Sequence, residues 1–508
     1  MTRSAYLSVV LTICIAAMLH LTESTPLWQR IPGAKMLNGL TMGTLESVGN
    51  MIEGGVMKAH EMTNELVDSL DCSKYTDPDA CRNVAEIIES RGFKAEEYDV
   101  VTKDGYILTI QRIVNPLVAS NYRSKMKPVI LQHGLMSSSV DWVVNSLSVR
   151  PKEWPVADGN SPQDDMRNQL EEDQVAQKCS EQEKSCKEQQ LNETSGAFND
   201  DPEHPRALGF YLANRGYDVF LANSRGNVYG QRHVSKSSWD PRFWAFSFDE
   251  QIDYDLPAVI EFVQKLTGHK KIGYVGHSQG TLMMFGLQSK HPEYADIVEP
   301  FVALAPVAYC YHTRTPARYF AIYTPIFQHI DMWFGSSNAA VRYLAPKVCA
   351  PDLIKRDVCG NIVFLGTGFD LDEFDITRAE AYLTHMPSGT SYKNIAHYGQ
   401  AILNKNFAHY DHGVVANQIK YGQPHPPDYD LSRIRSKSIV MFTAENDWLA
   451  APEDVALLKS KLTVQPHRVY NLTEHVPKWN HIDFVYGIHA GKLVNSHIIE
   501  VMDEFNEQ

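Results

Sequence analysis

From residue 98 onward, short apolar runs alternate with longer amphipathic stretches, a pattern typical of alternating strands and helices. Seven mostly apolar runs are strand candidates, at 98–101, 106–113, 128–133, 217–222, 271–275, 301–305 and 438–443. Between them, one helical face is marked by Leu256, Val259, Ile260, Val263 and Leu266, with Gly268 as the stop. This pattern predicts an α/β fold with a mainly parallel sheet covered by helices on both faces.

Two segments interrupt the alternation. Residues 151–205 hold 14 acidic and five basic residues and few large apolar ones, so we expect a solvated, disordered insertion. Residues 308–432 are rich in aromatic and apolar residues, which favours a packed, mainly helical cap or lid. The core is therefore predicted in two parts, 91–307 and 433–508.

The N-terminus predicts entry into the secretory pathway. Arg3 precedes an apolar stretch over 5–21, and small residues lead to a cleavage point after Ser24, as in a signal peptide spanning 1–24. Its most apolar part, 9–19, is short for a membrane anchor, and we expect no anchor after cleavage. Residues 25–90 are left as an unassigned extension or pro-segment.

Composition narrows the class of partner. The 508 residues carry a net charge of −14, with 44% hydrophobic and 21% charged residues. These values are ordinary for a globular protein, and the absence of a basic stripe argues against nucleic acid binding. The sequence gives no indication of an oligomeric state.

The cysteines and sequons fit an oxidising compartment. Removing Cys14 with the signal peptide leaves seven cysteines, of which Cys310 is unmatched by a near neighbour. No metal site is expected, because no cysteine and histidine spacing suits zinc. Short loops favour the pairs Cys72/Cys81, Cys179/Cys186 and Cys349/Cys359, and N-glycosylation sequons begin at Asn192 and Asn471.

A candidate nucleophile follows the apolar run 271–275. Gly276, His277, Ser278, Gln279 and Gly280 form a G-x-S-x-G pentapeptide between a predicted strand and a helix-like stretch. This is the context of a nucleophile elbow, in which a tight turn exposes the serine hydroxyl at a helix N-terminus. The pattern predicts Ser278 as the nucleophile of an acyl-transfer reaction.

A serine nucleophile needs a base, and the base needs an orienting acid. Asp447 follows the last predicted strand and His481 lies near the C-terminus, which gives the chain order Ser, acid, His. Spacing alone leaves Glu445 as an alternative acid and His475 as an alternative base.

The reaction also needs two backbone amides to hold the negative charge of the tetrahedral intermediate. One amide is expected from Gln279, directly after the nucleophile. The other is expected from the loop after an early strand, where His133, Gly134 and Leu135 lie.

Taken together, these motifs resemble the acid lipase family, which includes gastric lipase and lysosomal acid lipase. The resemblance extends from about residue 92 to 505. It is carried by the segments 97–108, 131–135 with Trp142, 223–227, 243–250, 254–257, 276–280, 303–307, 446–447 and 480–484.

The resemblance implies an α/β-hydrolase core with a cap over the site. It implies Ser278, Asp447 and His481 as the catalytic triad, and it selects Asp447 over Glu445 and His481 over His475. The oxyanion donors then fall on Leu135 and Gln279, and the family's cap disulfide falls on Cys349 and Cys359.

The expected function is that of a secreted or lysosomal lipase acting on triacylglycerols or cholesteryl esters at an oil–water or membrane interface. The chemistry requires no metal or organic cofactor. A non-catalytic lipid-binding or storage protein on the same fold is the alternative, as is another serine esterase or an acyltransferase.

Overall fold

A mixed β-sheet forms the centre of the protein. The computed structural model describes residues 75, 77–119, 121–146, 148–155, 201–324, 333–334, 367–368 and 370–506. The strands are β1 Lys94–Val101, β2 Tyr106–Val114, β3 Pro128–Gln132, β4 Asp218–Ala222, β5 Arg232–His233, β6 Ile272–His277, β7 Val298–Leu304, β8 Trp333–Phe334, β9 Thr390–Ser391, β10 Ile439–Thr443 and β11 Arg468–Asn471.

The strands of the main sheet are ordered β1-β2-β4-β3-β6-β7-β10-β11, and β5 pairs with β2. Six strands, β4, β3, β6, β7, β10 and β11, are parallel to one another. Strand β2 pairs antiparallel with β1, β4 and β5. Every residue of β3, β4 and β6 is buried, as expected where helices cover both faces of a parallel sheet. Because parallel strands end at one edge, the loops after β3, β6 and β10 emerge at the same edge of the sheet, with β7 between β6 and β10.

Helices follow the strands in the predicted alternation. The α-helices of four or more residues in the described ranges are α1 Val84–Ser90, α2 Leu208–Asn214, α3 Leu256–Thr267, α4 Gln279–Lys290, α5 Ala379–His385, α6 Tyr392–Asn404, α7 Val414–Tyr421, α8 Pro452–Lys461, α9 Asp483–Tyr486 and α10 Ser496–Glu504. At the end of α3, Gly268 adopts a left-handed conformation with φ of 76°, so the predicted stop is observed, although Leu266 is exposed.

The described part of the N-terminal extension packs against the core. Helix α1 begins with a capping box, in which the side chain of Asn83 accepts from the Glu86 amide and Glu86 accepts from the Asn83 amide. The apolar residues of this helix, Val84, Ile87 and Ile88, are fully buried. The packed core therefore begins before residue 91, the boundary expected from the strand pattern.

A buried ionic cluster joins this segment to the cap segment, 308–432. The Asp79 carboxylate pairs with the guanidinium groups of Arg91 and Arg378, the latter at 2.8 Å. Arg378 also pairs with Asp77 at 2.6 Å. All four side chains are buried. Since Arg378 immediately precedes α5, the cluster fixes this part of the cap segment onto the N-terminal segment.

Several predicted features lie outside the described residues. These are the signal peptide 1–24, most of the extension 25–90, most of the insertion 151–205, Cys72, Cys179, Cys186, Cys349, Cys359 and the sequon at Asn192. Cys81 is in a disulfide bond. Within the described ranges, the helices are all too short or too polar to cross a membrane.

The ionic cluster predicts a large effect of one substitution. We expect Asp79→Ala to lower the free energy of unfolding by about 3–5 kcal/mol, because it removes the carboxylate shared by two buried arginines. Lys103→Ala, which removes an exposed pair with Glu261, is the control and should change stability by less than about 1 kcal/mol. Urea unfolding of the three proteins measures both values, and similar midpoints for the two variants would contradict the assignment.

Candidate active site

Ser278 lies in a strained turn between β6 and α4. Its backbone has a φ of 52° and a ψ of −115°, a combination that non-glycine residues rarely adopt. Two positions before and two positions after Ser278, neighbouring backbone leaves room only for glycine. A Cβ atom on Gly276 would lie 2.8 Å from the carbonyl carbon of Gly280, and one on Gly280 would lie 2.5 Å from the Gln132 oxygen. The turn has the geometry predicted for a nucleophile elbow.

The structure brings Ser278, His481 and Asp447 into one hydrogen-bonded chain. The Nε2 atom of His481 lies 2.8 Å from the Ser278 hydroxyl oxygen, and Nδ1 lies 2.9 Å from both carboxylate oxygens of Asp447. All three side chains are buried. The alternative acid and base, Glu445 and His475, are exposed and outside this chain. The selection of Asp447 and His481 therefore agrees with the geometry.

Backbone groups hold the acid in place. One carboxylate oxygen of Asp447 accepts hydrogen bonds from the amides of Leu449 at 2.9 Å and Ala450 at 2.7 Å. These bonds fix the carboxylate at the end of β10, so that it can orient the imidazole of His481 and stabilise its protonated form.

His277, the residue before the nucleophile, supports the loop that carries the base. Burial lowers the pKa of His277 to about 3, so its ring is neutral at physiological pH. Its Nε2–H donates to the backbone carbonyl of His481 at 2.8 Å. The pentapeptide motif identifies His277 by position but does not reveal this contact.

The predicted oxyanion donors flank Ser278. Gln279 is the first residue of α4, so its backbone amide has no acceptor within the helix. The loop carrying Leu135 lies against the nucleophile, since a Cβ atom on Gly134 would be 3.2 Å from the Ser278 Cβ. His133 holds this loop: its Nδ1–H donates to the Gly134 carbonyl at 2.7 Å, and its Nε2 accepts from the Ser224 amide at 3.1 Å.

An apolar cavity of about 350 Å³ is lined in part by Ser278 and His481. Most of its wall is aliphatic or aromatic, as in pockets that bind apolar ligands. The core and the cap segment both contribute to it, through Leu135, Val307, Leu449 and Ile482 on one side and Ala321, Ile395, Tyr398 and Ile402 on the other. The reactive groups therefore face an apolar space between the core and the cap segment.

The carboxyl group of Asp141 lines this cavity, and its side-chain hydrogen-bond partners are hydroxyl groups. Asp141 is buried and accepts hydrogen bonds from the hydroxyls of Ser137 and, at 2.6 Å, Tyr486. Burial raises the pKa of Asp141 to about 6, and the hydrogen bonds from the two hydroxyls offset part of the rise. Sequence patterns do not identify this group, because its environment comes from a helix 345 residues away.

Two other predicted residues lie apart from the triad. Asn471 is the last residue of β11, and its side chain accepts a hydrogen bond from the Thr473 amide. Glycosylation of Asn471 remains a prediction. Cys310 is a buried free thiol in the cavity wall. The described ranges contain no group of three histidine, cysteine or acidic side chains arranged for a metal ion.

The raised pKa of Asp141 predicts a pH-dependent stability difference. Its folded-state pKa exceeds the ordinary value, so ionisation destabilises the fold progressively as pH rises from about 4 to 6. We expect Asp141→Asn to be about 2–3 kcal/mol more stable than the wild type at pH 7 relative to their difference at pH 4. Unfolding curves at both pH values test this, with the exposed Asp372→Asn as control. Parallel pH profiles for wild type and Asp141→Asn would contradict the prediction.

Two family models match the chain. A model described as a partial α/β-hydrolase lipase region matches residues 84–146, and one described as the α/β hydrolase fold matches residues 197–327. Together they include β3, β6 and the nucleophile turn. The predicted fold class, an α/β-hydrolase core with helices on a mostly parallel sheet, is confirmed.

The chain is similar over most of its length to characterised lipases. Lipase member M of Mus musculus is 33% identical over 85% of this chain and 88% of its own. Gastric triacylglycerol lipase of Bos taurus is 34% identical, as is lysosomal acid lipase/cholesteryl ester hydrolase of Homo sapiens, each over 84% of this chain and 92% of its own. With a third of its positions shared across nearly the full length of these enzymes, the chain belongs to the acid lipase family and is a carboxylic ester hydrolase.

Proposed function

We propose that this protein is a serine lipase that hydrolyses neutral lipid esters through Ser278, His481 and Asp447. The observation that carries the proposal is the unbroken hydrogen-bonded chain from hydroxyl to carboxylate at the floor of an apolar cavity. An apolar acyl chain fits the cavity, and the ester carbonyl would then lie beside the Ser278 hydroxyl.

Acylation begins when His481 accepts the proton of Ser278 as the serine oxygen attacks the ester carbonyl. Asp447 stabilises the imidazolium that forms. The carbonyl oxygen becomes an oxyanion, which the backbone amides of Leu135 and Gln279 would bind; one such donor commonly contributes about 3–4 kcal/mol. The proton then passes from His481 to the leaving alcohol, and the acyl-enzyme remains.

Deacylation repeats these steps with water. His481 takes a proton from the water as its oxygen attacks the acyl-enzyme carbonyl, and then returns the proton to Ser278 as the fatty acid leaves. Protons and atoms balance over the cycle with water as the only co-reactant.

The relatives' names support the substrate class and the compartment. A gastric triacylglycerol lipase and a lysosomal acid lipase/cholesteryl ester hydrolase are both among them, which favours triacylglycerols or cholesteryl esters as substrates. They also favour a secretory or lysosomal location, in line with the signal peptide predicted at 1–24. The cap segment, 308–432, would cover the site and open at a lipid interface.

Replacing the proposed nucleophile tests the function directly. We expect Ser278→Ala to abolish both hydrolysis of emulsified triolein or cholesteryl oleate and covalent labelling by a lipophilic organophosphonate. Ser289→Ala is the matched control, because Ser289 lies near the far end of α4, the helix that begins directly after Ser278, and its hydroxyl donates to the Gly286 carbonyl. Residual labelling of the alanine variant, or a wild type that binds lipid without cleaving it, would contradict the proposal.

A second substitution tests the acid. We expect Asp447→Asn to lower kcat by about 10³–10⁴-fold with a small change in KM, because the amide cannot stabilise the protonated imidazole. Glu445→Gln makes the same chemical change at the alternative acid, which is exposed, and should retain activity near that of the wild type. Equal losses in the two variants would remove Asp447 from the mechanism. Steady-state kinetics on a soluble short-chain ester gives both values.

A further inference from the structure

The side chain of Gln279 connects the nucleophile turn to the cap segment. This side chain is buried, and its amide is hydrogen-bonded at both ends. Its Nε2 donates to Gln251 at 2.9 Å, while its Oε1 accepts from the Nδ2 of Asn394 at 3.0 Å and the hydroxyl of Tyr398 at 3.1 Å. The core thus holds one end of the amide and the cap segment holds the other.

The two groups of the cap segment are themselves fixed. Asn394 and Tyr398 lie four residues apart on α6, and therefore on one face of that helix. The Nδ2 of Asn394 also donates to the Thr390 hydroxyl at 3.0 Å, and its backbone amide donates to the Ser391 side chain at 3.0 Å. Burial raises the pKa of Tyr398 well above its ordinary value, so its hydroxyl keeps the proton that it donates.

These contacts bear on the proposed oxyanion hole. An oxyanion donor is effective only when it lies about 2.7–3.1 Å from the developing charge, so a small rotation of the first turn of α4 weakens it. Gln279 carries both the proposed donor, its backbone amide, and the side chain held by α6. Helix α6 also forms part of the cavity wall through Ile395 and Ile402. The position of α6 on the nucleophile turn therefore affects both the cavity wall and the backbone amide of Gln279.

We propose that Asn394 and Tyr398 are positioning residues, which hold the backbone amide of Gln279 in place for the oxyanion through its side chain. Correct packing of α6 on the nucleophile turn is then a requirement for the catalytic step. This inference rests on the proposed function, because it assigns a support to an oxyanion donor of that reaction.

A mutant cycle on a soluble short-chain ester tests the inference. Asn394→Ala and Tyr398→Phe should each lower kcat about tenfold, and Gln279→Ala, which keeps its backbone amide, about a hundredfold. KM should stay within about twofold. In the Gln279→Ala background either cap substitution should cost less than a further twofold, because the side chain through which it acts is gone.

The matched control is Tyr421→Phe, which removes another hydroxyl of the cap segment. Tyr421 donates to the Tyr410 carbonyl at 2.9 Å, away from Gln279. This variant should keep the wild-type kcat. Complete titration with an organophosphonate gives the concentration of active enzyme in each preparation, so partly unfolded protein does not count as a catalytic loss.

A transition-state analogue provides the readout that a purely structural role would not change. A trifluoromethyl ketone adds to Ser278 as a tetrahedral adduct whose oxyanion needs the same donors. Its inhibition constant should therefore rise in proportion to the loss of kcat across Asn394→Ala, Tyr398→Phe and Gln279→Ala. An inhibition constant that stays at the wild-type value while kcat falls would overturn the inference.

Two further outcomes would also overturn it. Full multiplication of the cap effects in the Gln279→Ala background would show that Asn394 and Tyr398 act without the Gln279 side chain. A change confined to KM would make them cavity residues only. Persistence of activity in Ser278→Ala is a separate result, which would refute the proposed function whatever the cycle shows.

Discussion

The structure depends on how little space surrounds the turn at Ser278. Gly276 lies against the backbone of Gly280, and Gly280 lies against the backbone of β3, so closely that a Cβ atom on either glycine would overlap its neighbour. In this turn Ser278 adopts a positive φ. The same crowding places the hydroxyl beyond the strand and at the start of a helix. Asp447 and His481 reach it because they follow β10 and β11, which run parallel to β6 and end at the same edge of the sheet.

Around this turn, buried polar groups are arranged in an apolar setting. Several groups close to the hydroxyl are fixed by hydrogen bonds to backbone: Asp447 accepts from two amides, and His133 donates to the Gly134 carbonyl. In a low-dielectric environment such bonds are strong, and an unpaired group would be costly. The network therefore fixes the geometry of the site before a substrate binds, which suits the oxyanion-binding role proposed for it.

Local signals in the sequence predicted much of this arrangement. Apolar runs located seven of the nine strands of the main sheet, and the glycine-flanked serine located the turn, because tight turns and buried strands restrict composition locally. Strands β5 and β11 were missed, because they are short and have no fully buried residue. Spacing left Glu445 and His475 open, since it carries no information on burial. The packing of α1, the environment of Asp141 and the contacts of Gln279 were not predictable, because their partners lie far away in sequence and only folding brings them together.

The ionic cluster around Asp79 has a consequence for proteolysis of the polypeptide. Among the described residues, the aspartates that pair with Arg378 are Asp77 and Asp79. A protease that cut on the C-terminal side of Asp79 would leave the buried guanidinium group of Arg378 without these carboxylates, and would break the link between the cap segment and the N-terminal segment. Residues 77–79 are therefore part of the folded protein, and their loss would weaken the attachment of the cap segment to the core.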